Sequence, residues 1–431
     1  MGIKHNRQIE EYLNNICTHI KHSEVHQQIR LELEDHIEEI TAEYISQGTP
    51  EDEAVNKAIA QMGDAAHIGK RLNQIHKPRP EWSILALTLL FTSLGLAALF
   101  FIQNTVLAVP FPMFELSLGF FFTGTVILVG IYFFDYRKIR PYSKYIYLGT
   151  MLVLTYTIFW GIQANGSKSW LSIGPFFINF VQVSPYLFIV ALAGIFDNWD
   201  WSNSKQLLYA LLLLLVPPVL ILGAPSLSAA VIYLIASIVL SVVSGLKLKH
   251  VLVVMVSGIG VLLLFIMSAP YRLERFFVFL NPASDPQGVG YLYLQIKKAI
   301  STSGLLGQGF TLQPGLIPEI HTDFIFTYII YTFGWIAGFI IASLTVLFLV
   351  RIARIALVVK TNYARLVISG LAAIFTAQFL WNILMNLGAA PISGIGLPFI
   401  SYGGSQFVMN MAAIGLISSV YRRKNIYHSL G

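Results

Sequence analysis

His321-Thr322-Asp323-Phe324-Ile325-Phe326 opens a hydrophobic run that continues to about Val350. A helix needs about 20 consecutive apolar residues to cross a bilayer, and this run supplies them. Ionisable side chains are costly beside hydrocarbon and tend to be functional there. Asp323, with Glu319 and His321 just ahead of it, therefore marks a candidate site at a membrane edge. Asp323 is the first residue to which chemistry is assigned.

Comparable apolar stretches recur at about 83–103, 115–134, 144–163, 181–198, 205–223, 227–244, 250–269, 365–388 and 404–421. With 323–350 they make about ten spans, so the expected fold class is all-α, a polytopic membrane protein. Composition agrees. The 431 residues are 55% hydrophobic and only 12% charged, with mean hydropathy +0.67, which excludes an ordinary soluble enzyme. The formal charge of +6 is not a nucleic-acid signal, because the basic residues punctuate the spans where topology explains them. Cys17 is the only cysteine, so no disulfide forms within the chain.

Only Glu115, Asp135, Asp197, Asp200, Glu274, Asp285, Glu319 and Asp323 follow residue 81, out of 22 acidic residues. That break places a boundary near Pro78-Arg79-Pro80, with a prefix domain at 1–78 and a membrane domain at 79–431. In the prefix, Val25, Ile29, Leu33, Ile37, Ile40 and Tyr44 line one face of a helix. Gly48 can end that helix, and Thr49-Pro50-Glu51-Asp52 reads as cap, proline and acidic first turn of the next. Gly63-Asp64 repeats the signal ahead of Ile68, Leu72 and Ile75. A small helical bundle is expected. His22 and His26 are one turn apart but lack a third ligand, so no metal site is assigned. No signal-peptide core precedes the bundle, which places it in the cytoplasm.

With that end inside, the inner connections hold Arg137, Lys138, Arg140, Lys144, Lys205, Lys247, Lys249, Arg351, Arg354, Lys360, Arg365, Arg422, Arg423 and Lys424. The outer connections hold only Lys168, Arg272, Arg275, Lys297 and Lys298. Both termini are then cytoplasmic and Asp323 faces outward. Four of the five outer cations fall in the long loop at about 270–322. Either they bind an anion at the outer surface, or a long loop simply tolerates charge. A second unusual stretch, Asn386 to Ser405, is too apolar for a loop and too rich in proline and glycine for a helix. Such backbone survives at membrane depth when it lines a cavity or is buried in protein, and Ser401, Tyr402 and Ser405 could donate hydrogen bonds there. The alternative is a tight external turn.

Several motifs follow one another in a known order: Arg275-Phe276-Phe277-Val278-Phe279-Leu280-Asn281-Pro282, Asp285-Pro286-Gln287-Gly288-Val289-Gly290-Tyr291, Gly304-Leu305-Leu306-Gly307-Gln308-Gly309, Pro318-Glu319-Ile320-His321-Thr322-Asp323-Phe324, and Gly394-Ile395-Gly396-Leu397-Pro398-Phe399-Ile400-Ser401-Tyr402-Gly403-Gly404-Ser405. The chain resembles the SEDS family, the FtsW, RodA and SpoVE proteins of bacterial cell-wall synthesis. The likeness is strong over about 270–421 and weaker over 83–269. It is absent from the prefix, where Leu33-Glu34-Asp35-His36-Ile37-Glu38-Glu39, Ala54-Val55 and Met62-Gly63-Asp64 resemble instead the permease-prefix domain, which implies regulation or docking; the alternative is a solvated bundle with no activity of its own.

The resemblance implies an inverting peptidoglycan glycosyltransferase with ten membrane helices that polymerises lipid II at the outer face, in cell-shape, division or sporulation wall synthesis. It implies a class B penicillin-binding protein as partner. Asp323 would be the catalytic carboxylate, a base taking the proton of the attacking sugar hydroxyl. Arg272, Arg275, Lys297 and Lys298 would meet the leaving pyrophosphate, with a divalent cation such as Mg or Mn as a further aid. Glu319 and His321 would tune the aspartate, and Ser401 and Ser405 would contact substrate. The family pattern also lapses in places. Ser169 stands where arginine precedes Trp170, with Lys168 as a partial replacement. Gln182-Val183-Ser184-Pro185 and Phe188 replace a glutamate and a lysine, and Ala224-Pro225-Ser226-Leu227 replaces a motif containing aspartate. Two other functions are therefore carried beside the enzyme: a flippase for lipid-linked precursors, and a catalytically weak scaffold for a cell-wall synthase.

Overall fold

The computed structural model describes residues 6–21, 26–75, 80–106, 112–164, 166–174, 176–313 and 315–424. His22, Val25, Pro78 and Arg79, which entered the sequence reading, lie outside them. The chain divides into two compact units, residues 1–80 with 422–431, and residues 81–421.

In the first unit α1 (Arg7–Thr18), α2 (His26–Ser46), α3 (Glu51–Met62) and α4 (Ala65–Ile75) form the bundle. Ile9, Leu13, Ile37, Ile40, Val55 and Ala58 share one core, and Ile16, Ile20, Ile29 and Ala65 a second. Gly48 takes the left-handed conformation (φ +90°) that lets the chain leave α2. The Thr49 cap is not formed. Pro50 occupies the cap position without a side-chain hydrogen bond, and Glu51, Asp52 and Glu53 fill the first turn. Asp64 does cap α4, accepting from His67 N at 2.8 Å. His26 Nε2 lies 2.8 Å from Ile20 O, a donor contact that removes this nitrogen as a metal ligand.

The second unit holds α5 (Trp82–Thr105), α6 (Met113–Phe133), α7 (Ser143–Trp160), α8 (Phe180–Ile195), α9 (Ser204–Gly223), α10 (Leu227–Val243), α11 (Leu248–Met267), α12 (Pro270–Leu280), α13 (Gly290–Thr302), α14 (Ile325–Val358), α15 (Asn362–Asn386) and α16 (Gly404–Arg422). Each apolar stretch read from the sequence holds one helix. Among the described residues α5, α6, α9, α11, α14 and α15 are long and apolar enough to cross a membrane. Helices α8 and α10 are apolar but shorter, 16 and 17 residues, or about 25 Å at 1.5 Å per residue. More than half of the residues of each are buried, so much of their surface meets protein.

Three features depart from the purely helical expectation. Between α7 and α8 the chain forms an antiparallel sheet, β1 (Ile162–Ala164), β2 (Ser167–Ile173) and β3 (Phe176–Asn179), in the order β1-β2-β3. The long 270–322 connection carries α12 and α13. Helix α14 starts at Ile325, runs to Val358, and is broken at Gly334 (φ 84°, ψ 176°), a region of backbone space open essentially to glycine alone. The 387–403 stretch, by contrast, is irregular, and its central apolar residues are buried: Ile395, Leu397, Phe399 and Ile400 are each 3% exposed or less. Phe399 stacks on Phe375 with centroids 5.7 Å apart, and Ile400 lies against Gly95 of α5.

Candidate active site

Asp323 sits in a tight turn ahead of α14, and the turn is wound around Glu319. The Glu319 carbonyl accepts from the amides of Thr322 (3.1 Å), Asp323 (3.1 Å) and Phe324 (3.3 Å). To gather three donors on one oxygen, Glu319 adopts φ +54°, an uncommon conformation for a side chain with a Cβ. Its carboxylate accepts from Thr322 Oγ1 at 2.9 Å and lies 3.9 Å from His321 Nε2.

The turn is clamped from two sides. From α15, Asn382 Nδ2 donates to Asp323 O (2.9 Å) and Ile395 O (2.7 Å), while Asn386 Nδ2 donates to Asp323 O (3.0 Å) and Asn382 O (2.8 Å). Asn386 Oδ1 accepts from Thr327 N and Thr327 Oγ1 at 3.2 and 2.6 Å, holding the first turn of α14. From the buried loop, Ser401 Oγ donates to Thr322 O (2.5 Å) and accepts from Leu397 N (2.7 Å), and Tyr402 N donates to His321 O (2.9 Å). The Tyr402 ring lies between His321 and Phe120 of α6. These bonds go to main-chain atoms, so they fix where Asp323 is without occupying it. Among the described residues the Asp323 carboxylate makes no hydrogen bond or ion pair.

Burial, and secondly the charge of Glu319, push the Asp323 carboxyl up to about 7. Burial pushes the neighbouring His321 ring down, opposed by Glu319, so it stands neutral near pH 7. The pair thus offers a proton acceptor poised for neutral conditions beside an uncharged imidazole.

The other expected site residues divide. Ser401, as above, is engaged with the main chain. Ser405 is similar, accepting from Asn179 N (3.1 Å) and donating to Phe177 O (3.3 Å), which ties β3 to α16. Arg272 is engaged within the protein. It folds back on the end of α11, donating to Phe265 O (2.9 Å), Ser268 Oγ (2.7 Å) and Tyr271 OH (3.0 Å), with its guanidinium carbon 3.7 Å from the Phe265 ring centre. A cation satisfying terminal carbonyls is a helix cap. Arg275 is exposed beside Tyr271, and Lys297 and Lys298 are exposed on α13. Lys168 lies on β2, on the face opposite Ser169, which stands at the position of the lost arginine. Neighbouring residues in a strand face opposite sides. Ser169 is buried and bonds Ser167, which bonds Ala224 O, whereas Lys168 is exposed.

Asn382 and Asn386 escaped the sequence reading. A signal was present, since Gln378, Asn382 and Asn386 recur every four residues in an otherwise apolar helix, and polar groups in a span need partners there. Gln378 Oε1 meets its own, Tyr186 OH, at 3.1 Å. Beside Ser401, a narrow, shallow crevice opens between α5 and α6, lined by Thr92, Leu99, Ser117, Phe120 and Phe399 among others.

The chain is similar to known proteins over most of its length. The probable peptidoglycan glycosyltransferase FtsW of Coxiella burnetii is 31% identical over 360 residues, covering 80% of this chain and 95% of its own. The peptidoglycan glycosyltransferase MrdB of Escherichia coli is 29% identical over 322 residues, 73% of this chain and 87% of its own. Among solved structures, a chain described under structural coordination of polymerization and crosslinking by a peptidoglycan synthase complex superposes with a TM-score of 0.68. It shares 25% identity over 80% of this chain and 98% of that one. The FtsW/RodA/SpoVE profile, described as a cell cycle protein, matches residues 81–426. The chain is therefore a multi-pass membrane protein that belongs to the FtsW/RodA/SpoVE family.

Proposed function

We propose that this protein is a peptidoglycan glycosyltransferase that polymerises lipid II at the outer face of the bacterial cytoplasmic membrane, with both termini cytoplasmic. The supporting observation is Asp323: an unpaired carboxylate with proton affinity near 7, held by main-chain clamps at the mouth of a membrane helix. Asp323 takes the proton of the acceptor sugar's 4-hydroxyl as that oxygen attacks the donor's anomeric carbon. The bond to the lipid pyrophosphate breaks, and the negative charge leaves with the phosphate. One displacement with one base inverts the anomeric centre, unlike the paired-carboxylate retaining scheme. Arg275, Lys297 and Lys298 are the exposed cations available to the pyrophosphate.

A divalent cation on the pyrophosphate would neutralise charge on the leaving group. Among the described residues no three His, Cys, Asp or Glu side chains come together, so phosphate oxygens and Glu319 would hold it, as small hard cations allow. The partner is proposed to be a class B penicillin-binding protein, in keeping with the similarity to a chain of a peptidoglycan synthase complex.

The test is glycan-chain formation from purified lipid II, with the candidate partner present, comparing the wild type with Asp323→Asn. Polymer from the wild type and none from the variant supports the enzyme and its base together. No polymer from either one replaces this function with the scaffold. Equal polymer from both removes Asp323 from catalysis.

A further inference from the structure

The break in α14 is filled by another part of the chain. In an unbroken helix Trp335 N would bond Tyr331 O, and Ile336 N would bond Thr332 O. Instead, the segment Gly304–Gly309 inserts between those pairs. Gln308 N donates to Tyr331 O at 2.8 Å and Gly309 N to Thr332 O at 3.1 Å, while Trp335 N and Ile336 N donate to Gly304 O and Leu305 O at 3.1 and 3.3 Å. Two helical bonds are exchanged for four bonds to the inserted segment, so all the freed main-chain groups are satisfied.

The approach is close enough to exclude side chains on both partners. A Cβ at Gly334 would sit 2.0 Å from Leu305 O, and one at Gly307 would sit 2.3 Å from Thr332 O; both residues have positive φ. Side chains extend the join. Thr311 Oγ1 lies 3.0 Å from Tyr331 OH, the Phe310 ring packs on Phe333 and Phe101, and Gln308 Nε2 donates to Thr302 O at 2.6 Å, closing the end of α13.

The half-helix 325–333 is thus gripped at one end by Asn386 and at the other by this segment, and Asp323 stands immediately ahead of it. We infer that Gly304–Gly309 is a positioning clip for the proposed reaction: it holds the half-helix 325–333, and through it Asp323, against α15, with Gly307 and Gly334 as the positioning residues. The inference rests on the glycosyltransferase reading only for its kinetic consequence, not for its structural one. It ties the α13 segment, which carries Lys297 and Lys298, by main-chain bonds to the helix that follows the base.

The test uses full-length protein in nanodiscs and the variants Gly307→Ala, Gly334→Ala and Gln308→Ala. Hydrogen exchange read by mass spectrometry should show the amides of 325–333 and 335–336 losing at least tenfold in protection in the glycine variants, with α5 and α10 unchanged. Gln308→Ala, which keeps every main-chain bond, should give a smaller loss confined to 304–309 and the end of α13. Lipid II polymerisation should show kcat down at least tenfold in the glycine variants with KM within about twofold. Wild-type protection of 325–333 in a folded glycine variant overturns the clip, whatever the activity. So does lost protection with an unchanged kcat. If neither glycine variant folds, the wild type decides: amides 308, 309, 335 and 336 must exchange as one unit, and separate exchange overturns the clip. A wild type that makes no polymer would instead refute the glycosyltransferase reading, leaving the exchange result to stand alone.

Discussion

Glu319→Gln separates the two causes that set the proton affinity of Asp323. The carboxyl is raised from 3.8 to about 7, first by burial and second by the charge of Glu319. A base works only in its ionised form, so with a midpoint near 7 Asp323 is about one-tenth ionised at pH 6 and about nine-tenths at pH 8. The wild-type kcat for lipid II polymerisation should therefore rise roughly tenfold over that interval and then level off. Glutamine removes the neighbouring charge yet keeps an oxygen to accept from Thr322 Oγ1 and a carbonyl for the three turn amides, so the geometry persists. Because burial is the larger cause, the acid midpoint should move down yet stay above the ordinary carboxylate range. The assay is kcat at saturating lipid II from pH 5 to 9, wild type against variant, which cancels any titration of the substrate phosphates. A midpoint that stays at 7, or moves up, refutes the electrostatic account of this turn. A fall to the ordinary carboxylate range would show that burial contributes little.

Asn386→Ala leaves Thr327 N and part of Asp323 O unpaired in a buried setting, a cost of roughly 2 kcal/mol. If half or more of that falls on the transition state, kcat drops about 5- to 30-fold, and an unchanged kcat would count against the clamp. Ser401→Ala should lower kcat several-fold with KM steady, since the hydroxyl serves Thr322 O and Leu397 N; a raised KM would return it to substrate binding. Lys297→Gln with Lys298→Gln should raise KM several-fold, more so at low salt where exposed charges act at longer range. Arg272→Ala should lower the melting temperature and leave KM alone, because its partners are on α11 and Tyr271. The reverse pattern would exchange the roles of these cations.

The membrane fold was legible from local sequence because the bilayer imposes a local rule: each span must carry its apolar residues consecutively, and a charge that interrupts them is conspicuous. That rule located the helices, and it isolated Asp323, Glu319 and His321 as a site before any coordinates. It also marked 387–403 as irregular backbone that either lines a site or makes a tight external turn, and the structure buries its central part. The sheet between α7 and α8 lay beyond the rule, its strands being too short to show a period against the apolar ends of their neighbours.

What tertiary structure alone decided are the partnerships between distant main-chain groups. Nothing near Gly334 in sequence announces that residues 304–309 will take up the hydrogen bonds it breaks, and nothing near Asp323 names Asn382 and Asn386 as the holders of its carbonyl. Likewise a count of cations could not separate Arg272, spent on capping α11, from Arg275, Lys297 and Lys298, which remain exposed. Residue type and spacing by themselves determined which groups can do chemistry and that they lie at a membrane edge, because those follow from solvation. Which groups are free to react, and which are consumed in holding them, depends on where the donors and acceptors of remote segments meet, and only the folded chain brings those together.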